Sequence, residues 1–232
     1  MTMPNPICVA LDTPNVAHAT ALLKALKGHV GFVKLGLEFF YAHGAKGYEA
    51  VAALGTPIFL DLKLHDIPNT VEQGLRSLMR LAPAPAIINV HATGGLDMMK
   101  AARRAVTGDT KLIAVTVLTS LSQPEVGAIG FAPGAVDQLA VNLAVLAHEA
   151  GLDGVVCSPT DLPLLRRELP RPFLTVVPGI RLADSAAHDQ KRIATPAEAM
   201  AAGADILVIG RAITGAADPV AATQEILAGI AP

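Results

Sequence analysis

The chain has 232 residues, the length of one (β/α)8 barrel, and it is 52% apolar and 16% charged, which excludes a disordered protein and a coiled coil. Its 18 basic and 20 acidic residues give a net charge of −2, and it has 3% aromatic residues and no tryptophan, so we expect no nucleic-acid partner. No apolar run reaches about 18 residues without a polar break, so we also expect no membrane partner.

The N-terminus lacks the basic and apolar regions of a signal peptide, which favours a cytoplasmic protein. The two cysteines, Cys8 and Cys157, agree with that location if they are reduced and buried. Neither lies in a CxxC pair or in a Cys/His spacing typical of metal ligands, so we expect no metal site built on them.

Eight short apolar runs alternate along the chain with longer segments rich in alanine and leucine. The runs are apolar on both faces, which predicts buried parallel strands over residues 7–11, 31–35, 58–62, 86–91, 112–117, 154–157, 174–177 and 206–209. Helices are predicted over residues 16–27, 45–54, 70–81, 96–106, 135–150, 163–168, 196–202 and 219–228.

Eight strand–helix units in one chain predict an α/β protein with a closed (β/α)8 (TIM) barrel, as a single domain over residues 1–232. The alternative is an open doubly wound sheet. No GxGxxG or GxxxxGK[ST] motif follows a predicted strand, which disfavours a nucleotide-binding sheet of that kind. In a barrel, the chemistry lies at the carboxyl ends of the strands.

The third predicted strand ends in a dense group of charges, Asp61-Leu-Lys63-Leu-His65-Asp66. Asp61 and Lys63 are two residues apart and should face the same side of the strand, with Lys34 beside them at the end of the second strand. Alternating ammonium and carboxylate groups keep one another ionised and need no metal. Structural ion pairs at the barrel rim are the alternative, and we interpret the histidines at positions 65 and 91 as structural.

Glycine and arginine follow the last two strands in Pro178-Gly179-Ile180-Arg181 and Gly210-Arg211. Loops after strands seven and eight of a barrel often bind phosphate, for which glycine gives backbone access and arginine a planar fork. The polar stretch from Arg181 to Thr195 predicts a long loop that could act as a lid, with Gln190 joining the phosphate site. The alternatives are a glycine turn with a surface arginine and a passive loop.

Thr119 and Ser158, which follow the fifth and sixth strands, are neutral hydrogen-bonding groups suited to a substrate with amide-like edges. On their own they are weak indicators, because Ser and Thr are common in turns.

Seven segments together resemble the orotidine 5′-phosphate decarboxylase family over nearly the whole chain, in that family's order and spacing. The segments are VALD (9–12), FVKLG (32–36), FLDLKLHDIPNT (59–70), TVLTS (116–120), VCSP (156–159), VVPGIR (176–181) and VIGR (208–211). The resemblance implies a metal-free and cofactor-free lyase that converts orotidine 5′-monophosphate to uridine 5′-monophosphate (UMP) and CO2, the last step of UMP biosynthesis.

The same resemblance implies a role for each matching residue. Lys34, Asp61, Lys63 and Asp66 would form a Lys-Asp-Lys-Asp array in which Lys63 protonates C6 of the pyrimidine. Asp66, Ile67 and Thr70 would enter the site of the neighbouring subunit of a homodimer. The remaining substrate contacts would be Asp12 and Lys34 to the ribose, Thr119 and Ser158 to the ribose and base, and Pro178, Arg181, Gln190, Gly210 and Arg211 at the phosphate.

Two rival functions stay open on the sequence. Keto-gulonate phosphate decarboxylase and hexulose phosphate synthase share an Asp-x-Lys-x-x-Asp segment and the barrel, but they use Mg²⁺. A non-catalytic binder of phosphoribosyl ligands would keep the pocket without turnover, although the intact Lys63 argues against it.

Overall fold

The computed structural model describes residues 5–131, 135–181 and 192–230. Its eight strands pair in parallel in chain order, and β8 closes the barrel against β1. The predicted closed (β/α)8 barrel is therefore confirmed, and the open doubly wound sheet is wrong. The strands are β1 Ile7–Ala10, β2 Phe32–Leu35, β3 Ile58–Leu64, β4 Ile87–His91, β5 Lys111–Val115, β6 Gly154–Val156, β7 Leu174–Val177 and β8 Ile206–Ile209.

The helices cover the outside of the barrel. They are α1 Val16–Leu26, α2 Leu37–Ala52, α3 Pro68–Leu78, α4 Gly95–Ala105, α5 Gln123–Ala128, α6 Val136–Glu149, α7 Leu162–Glu168, α8 Pro196–Ala201, α9 Arg211–Thr214 and α10 Pro219–Ile230. Short 3₁₀ turns at Ala92–Gly94 and Pro159–Asp161 precede α4 and α7. None of the described helices is both long and apolar enough to cross a bilayer.

The strands bury both of their faces, which explains their continuous apolar runs. The barrel interior is filled by a small cluster made of Cys8, Phe59, Ile87, Ile113, Val176 and Ile206. A much larger cluster packs the outward faces of the strands against the helices. The apolar interior ends below the carboxyl ends of the strands, where polar side chains take over.

Three helical segments differ from the sequence prediction. Helix α2 begins at Leu37 rather than at residue 45, with a break at Gly44, whose φ is 56° and which interrupts the helical pattern in the sequence. Helices α5 and α9 were not predicted, because each is at most two turns long. The other predicted helices start and stop within about two or three residues of the observed bounds.

Arg166 ties together the amino ends of the last two strands. Its Nε donates to the carbonyl of Gly203 at 2.8 Å and its Nη1 to that of Phe173 at 2.7 Å. Its Nη2 forms an ion pair with Asp205, and both side chains are nearly buried, at 13% and 9% exposed. This is the end of the barrel where ion pairs stabilise the fold rather than act on a substrate.

Arg166→Met should lower the free energy of unfolding by about 2 kcal/mol, because the Phe173 carbonyl loses its donor and the buried Asp205 loses one of its two arginine partners, keeping Arg171 at 2.8 Å. Urea denaturation followed by circular dichroism measures the loss. The adjacent Arg167 is exposed, so Arg167→Met is the matched control and should cost less than about 0.5 kcal/mol. Equal losses in the two variants would contradict this role for Arg166.

Candidate active site

A cavity of about 320 Å³ opens at the carboxyl ends of the strands. That volume lies within the range of small-molecule sites, about 300–1,000 Å³. Nine of the residues predicted for the site line it, namely Asp12, Lys34, Asp61, Lys63, Thr119, Pro178, Arg181, Gly210 and Arg211. The structure therefore brings together residues that are spread over about 200 positions of the sequence.

Four charged side chains form a continuous row along one wall of this cavity. Lys34 Nζ lies 3.0 Å from Asp12 Oδ1 and 3.4 Å from Asp61 Oδ2. Lys63 Nζ lies 2.7 Å from the other oxygen of the same carboxylate, Asp61 Oδ1. The row arises because β1, β2 and β3 are neighbours in the barrel, so their carboxyl ends meet.

Burial and charge act against each other within the row. Burial raises the pKa of Asp61, but Lys34 and Lys63 outweigh it and hold that pKa below its ordinary value. Burial lowers the pKa of Lys34, but Asp61 and Asp12 outweigh it and hold that pKa above its ordinary value. Asp61 is therefore held as a carboxylate and Lys34 as an ammonium at neutral pH, although Asp61 is only 6% exposed.

Lys63 reaches the cavity through an irregularity in β3 rather than by simple alternation. Leu60 pairs with Ile88 and Leu64 pairs with Val90, so three residues of β3 lie opposite one residue of β4. Lys63 has a φ of 51°, the one positive φ among the described residues other than glycine. This conformation costs about 1–2 kcal/mol, and bulges of this kind often re-aim a side chain next to an active site.

Asn89, the single residue of β4 opposite the irregular part of β3, was missed by the sequence analysis. It is fully buried, donates from Nδ2 to Asp61 Oδ1 at 2.7 Å, and accepts from the backbone N–H of Lys63 at 2.8 Å. The signal was present, because Asn89 lies two residues after Ile87, which faces the barrel interior. An amide at an inward position of an otherwise apolar strand requires a polar partner.

Asp66, Ile67 and Thr70 do not line the cavity of their own chain. All three are exposed, Ile67 at 67%, and Asp66 Oδ1 accepts from the backbone N–H of Ile67 at 2.7 Å. Beside them an apolar groove is lined by Phe40, Tyr41, Leu62, Leu64, His65 and Leu78 with Lys63 and Gly74. Tyr41 is 78% exposed, so two large apolar side chains, Tyr41 and Ile67, face outward in this region.

Arginines and glycines form the wall of the cavity after β7 and β8, next to the Asp12 end of the row because β8 pairs with β1. Gly179 has a φ of 81°, which only glycine adopts readily, and it lets the chain turn directly after β7. Arg181 Nη1 donates to the carbonyl of Ile180 at 2.9 Å, and the exposed Arg211 opens α9 after β8. Gln190, predicted for the same site, lies outside the described residues, as does most of the predicted lid.

The two neutral side chains predicted for the site lie in different settings. Thr119 is 8% exposed and lines the cavity. Ser158 is fully buried and is not among the lining residues; its Oγ caps the 3₁₀ turn by accepting from the Thr160 N–H at 3.1 Å. The contact of Ser158 with a ligand stays a prediction.

Asp161 and Arg192 form a buried ion pair that the sequence analysis also missed. Arg192 Nη1 donates to Asp161 Oδ1 at 2.6 Å, and its Nη2 donates to the carbonyl of Val117 at 3.1 Å. Burial raises the pKa of Asp161 to about 6, although Arg192 and the N–H of Ser158 lower it. The pair connects the chain just before α8 to the ends of β5 and β6.

His65 and His91 stack beside the row of charges, with ring centroids 5.6 Å apart. Burial lowers the pKa of His91, and the nearby charges of His65 and Lys63 add to that effect. No group of three or more His, Cys, Asp or Glu side chains that could hold a metal ion occurs within residues 5–131, 135–181 and 192–230.

A closed parallel barrel with aspartates, lysines and arginines around one cavity defines the class of (β/α)8-barrel enzymes. The chain belongs to the orotidine 5′-phosphate decarboxylase / HUMPS family, whose profile matches residues 5–226. This confirms the family resemblance of the sequence segments.

Individual relatives extend over almost the full chain. A protein of Rhodospirillum rubrum named orotidine 5′-phosphate decarboxylase is 52% identical over 229 residues, covering 95% of this chain and 92% of that protein. One of Novosphingobium aromaticivorans with the same name is 52% identical and covers 97% and 98%. The crystal structure of orotidine 5′-phosphate decarboxylase from Lactobacillus acidophilus superimposes with a TM-score of 0.84 at 36% identity, covering 98% of this chain and 100% of that one.

Proposed function

We propose that this chain decarboxylates orotidine 5′-monophosphate to UMP and CO2, the last step of UMP biosynthesis, with Lys63 as the proton donor to C6. The observation that carries the proposal is the ammonium of Lys63, held 2.7 Å from Asp61 on the cavity wall. The proposal is supported by relatives named orotidine 5′-phosphate decarboxylase, which are about 50% identical to this chain over nearly its whole length.

The charge of the cavity matches the charge of this substrate. The lining carries the four cations Lys34, Lys63, Arg181 and Arg211 and the two carboxylates Asp12 and Asp61, a formal excess of two positive charges. The substrate has a phosphate and a carboxylate. Its two negative ends can lie near the arginines and near the Lys63 side of the cavity.

The chemistry requires stabilisation of charge at one carbon. When the bond from C6 to the carboxylate breaks, its electron pair stays on C6 and CO2 leaves, which gives a carbanion with little resonance stabilisation. A fixed ammonium stabilises that charge without reorganisation, and Lys63 then transfers one proton to C6 and becomes a neutral amine that solvent protonates again. Asp61 holds the ammonium of Lys63 in place and faces the departing carboxylate.

The contacts to the other parts of the substrate are those that the family resemblance implies. Asp12 and Lys34 hold the ribose hydroxyls, and Thr119 and Ser158 contact the ribose and base. Pro178, Arg181, Gln190, Gly210 and Arg211 form the phosphate site. The phosphate is remote from the reacting bond, so its binding energy can align the substrate with the row of charges.

Arg211→Ala should lower kcat/KM for orotidine 5′-monophosphate by about 100-fold, because a charge-assisted contact to phosphate is lost. The nucleoside orotidine, which lacks the phosphate, should react equally slowly with the wild type and with this variant. Arg80→Ala, at an exposed arginine outside the cavity lining, is the control and should match the wild type on both substrates. An equal loss on orotidine would contradict the phosphate assignment.

The active unit is a homodimer in which Asp66, Ile67 and Thr70 enter the neighbouring subunit's site. Their exposure in the single chain and the apolar groove beside them support this arrangement. Asp66 of one subunit would complete the Lys-Asp-Lys-Asp array of Lys34, Asp61 and Lys63 in the other.

The enzyme acts in the cytoplasm without a metal or cofactor. Both cysteines are free and buried, which suits a reducing compartment. Nothing in the charge balance favours a nucleic acid or a membrane as partner.

The test is the change of ultraviolet absorbance as orotidine 5′-monophosphate is consumed by protein treated with EDTA. Sustained turnover supports the proposal. Turnover that stops with EDTA and returns with Mg²⁺ would favour the magnesium-dependent phosphosugar enzymes instead. Tight binding of UMP with no turnover would identify a phosphoribosyl binder and refute the decarboxylase.

A further inference from the structure

Asn89 is a buried residue next to Lys63 and Asp61 that has no role in the mechanism proposed above. Asn89 lies in the middle of β4, is fully buried, and faces the irregular part of β3. Both ends of its carboxamide are used, since Nδ2 donates to Asp61 and Oδ1 accepts from the N–H of Lys63.

The hydrogen bond to the Lys63 N–H replaces a missing strand contact. Residues 61–63 of β3 have only Asn89 opposite them on β4, so the regular backbone ladder is interrupted there. The side chain of Asn89 supplies an acceptor at 2.8 Å for an N–H that the ladder no longer pairs. A left-handed φ at a residue other than glycine persists only where the surroundings over-determine it, and this contact does so for Lys63.

The hydrogen bond to Asp61 sets the orientation of the carboxylate. Oδ1 of Asp61 accepts from Asn89 Nδ2 at 2.7 Å and from Lys63 Nζ at 2.7 Å, whereas Oδ2 faces Lys34 at 3.4 Å. With one oxygen fixed by a buried amide, the carboxylate has little freedom to rotate. The same side chain therefore holds both the backbone of Lys63 and the acid that receives its ammonium.

We propose that Asn89 is a positioning residue for proton delivery, which holds the Lys63 backbone and the Asp61 carboxylate so that the ammonium points at the reacting carbon. The proposal rests on the function proposed above. Asn89 acts through its two neighbours and does not itself line the cavity.

Asn89→Leu removes both hydrogen bonds and keeps a similar side-chain volume. We expect kcat to fall about 100-fold, since a displacement of about 1 Å of the donor has that effect. KM and the dissociation constant of UMP should change less than about threefold, because binding energy from the phosphate does not pass through Asn89. The rate is divided by the concentration of sites that bind UMP, so kcat is not lowered by a loss of folded protein.

Thr223→Val is the matched control. Thr223 is fully buried in α10 and donates to the carbonyl of Pro219 at 2.7 Å, so this variant also loses a buried hydrogen bond, but outside the cavity lining. It should leave kcat per titrated site unchanged while melting at a lower temperature. A kcat per titrated site in Asn89→Leu as high as in Thr223→Val would reduce Asn89 to a stabilising residue and overturn the proposal.

A second measurement uses the wild-type protein and does not depend on how a variant folds. Hydrogen exchange followed by nuclear magnetic resonance should show the Lys63 amide protected, because Asn89 is its acceptor. Exchange at the rate of an unbonded amide would overturn the proposal. Absence of decarboxylation by the wild type would instead refute the function itself, and this proposal with it.

Discussion

Lys63→Ala should lower kcat by roughly 10³-fold or more, because it removes both the cation that stabilises negative charge at C6 and the proton that C6 receives. Binding of UMP should persist, since the arginine wall of the cavity is untouched. The two quantities are measured by the absorbance assay and by calorimetric titration with UMP.

The control for this variant is Lys100→Ala, at an exposed lysine of α4 outside the cavity lining, which should behave as the wild type. A fall in kcat with UMP binding retained supports the assignment of Lys63 as the proton donor. Near-normal kcat in Lys63→Ala would remove Lys63 from the mechanism, and a loss of UMP binding equal to the loss of kcat would assign it a role in binding alone.

Lys63→Ala and Asp66→Ala proteins, each inactive alone, should regain activity when they are mixed. In a two-fold dimer with shared sites, each heterodimer has one complete site and one site that lacks both residues. Random exchange makes half of the dimers heterodimers, so activity per site should approach about a quarter of the wild-type value. Native mass spectrometry confirms that exchange has occurred.

The matched control for this experiment is a mixture of Lys63→Ala with Asp61→Ala. These two residues lie 2.7 Å apart in one chain, so no heterodimer of this pair has a complete site and the mixture should stay inactive. If exchange is proven and the mixture with Asp66→Ala also stays inactive, Asp66 belongs to its own subunit's site.

The strands could be predicted from the sequence because a parallel barrel buries both faces of each strand. Continuous apolar runs therefore located all eight strands to within about one or two residues at most ends. The carboxyl end of β3 is an exception, because the strand continues beyond the predicted residue 62 to Leu64 through an irregularity in its pairing with β4. Residues 61–64 include two charged side chains, which is typical of a loop. They belong to the strand because Leu64 pairs with Val90 of β4.

The helices were harder to predict where local signals were weak. Gly44 interrupts α2, so the sequence pattern predicted only the part after it. Helix α5 is six residues long and α9 four, so neither could show a full helical period.

The charged part of the site was predictable because charges at strand ends are rare and costly. The sequence marks Asn89 as a polar residue at an inward position of β4, but neither Asn89 nor Asp161 shows in the local sequence which residues it pairs with. Asn89 forms hydrogen bonds with Lys63 and Asp61, which lie 26 and 28 positions away in the sequence. Asp161 forms an ion pair with Arg192, which lies 31 positions away. Such contacts follow from the closure of the barrel and not from local sequence.

The most direct test of the account is a crystal structure of the protein with UMP bound. We predict that Lys63 Nζ lies within about 3.5 Å of C6 of the pyrimidine, the distance required for transfer of a proton or stabilisation of charge at that carbon. The phosphate should lie against Arg211 and Arg181. A nucleotide bound with Lys63 more than about 6 Å from C6 would contradict the account.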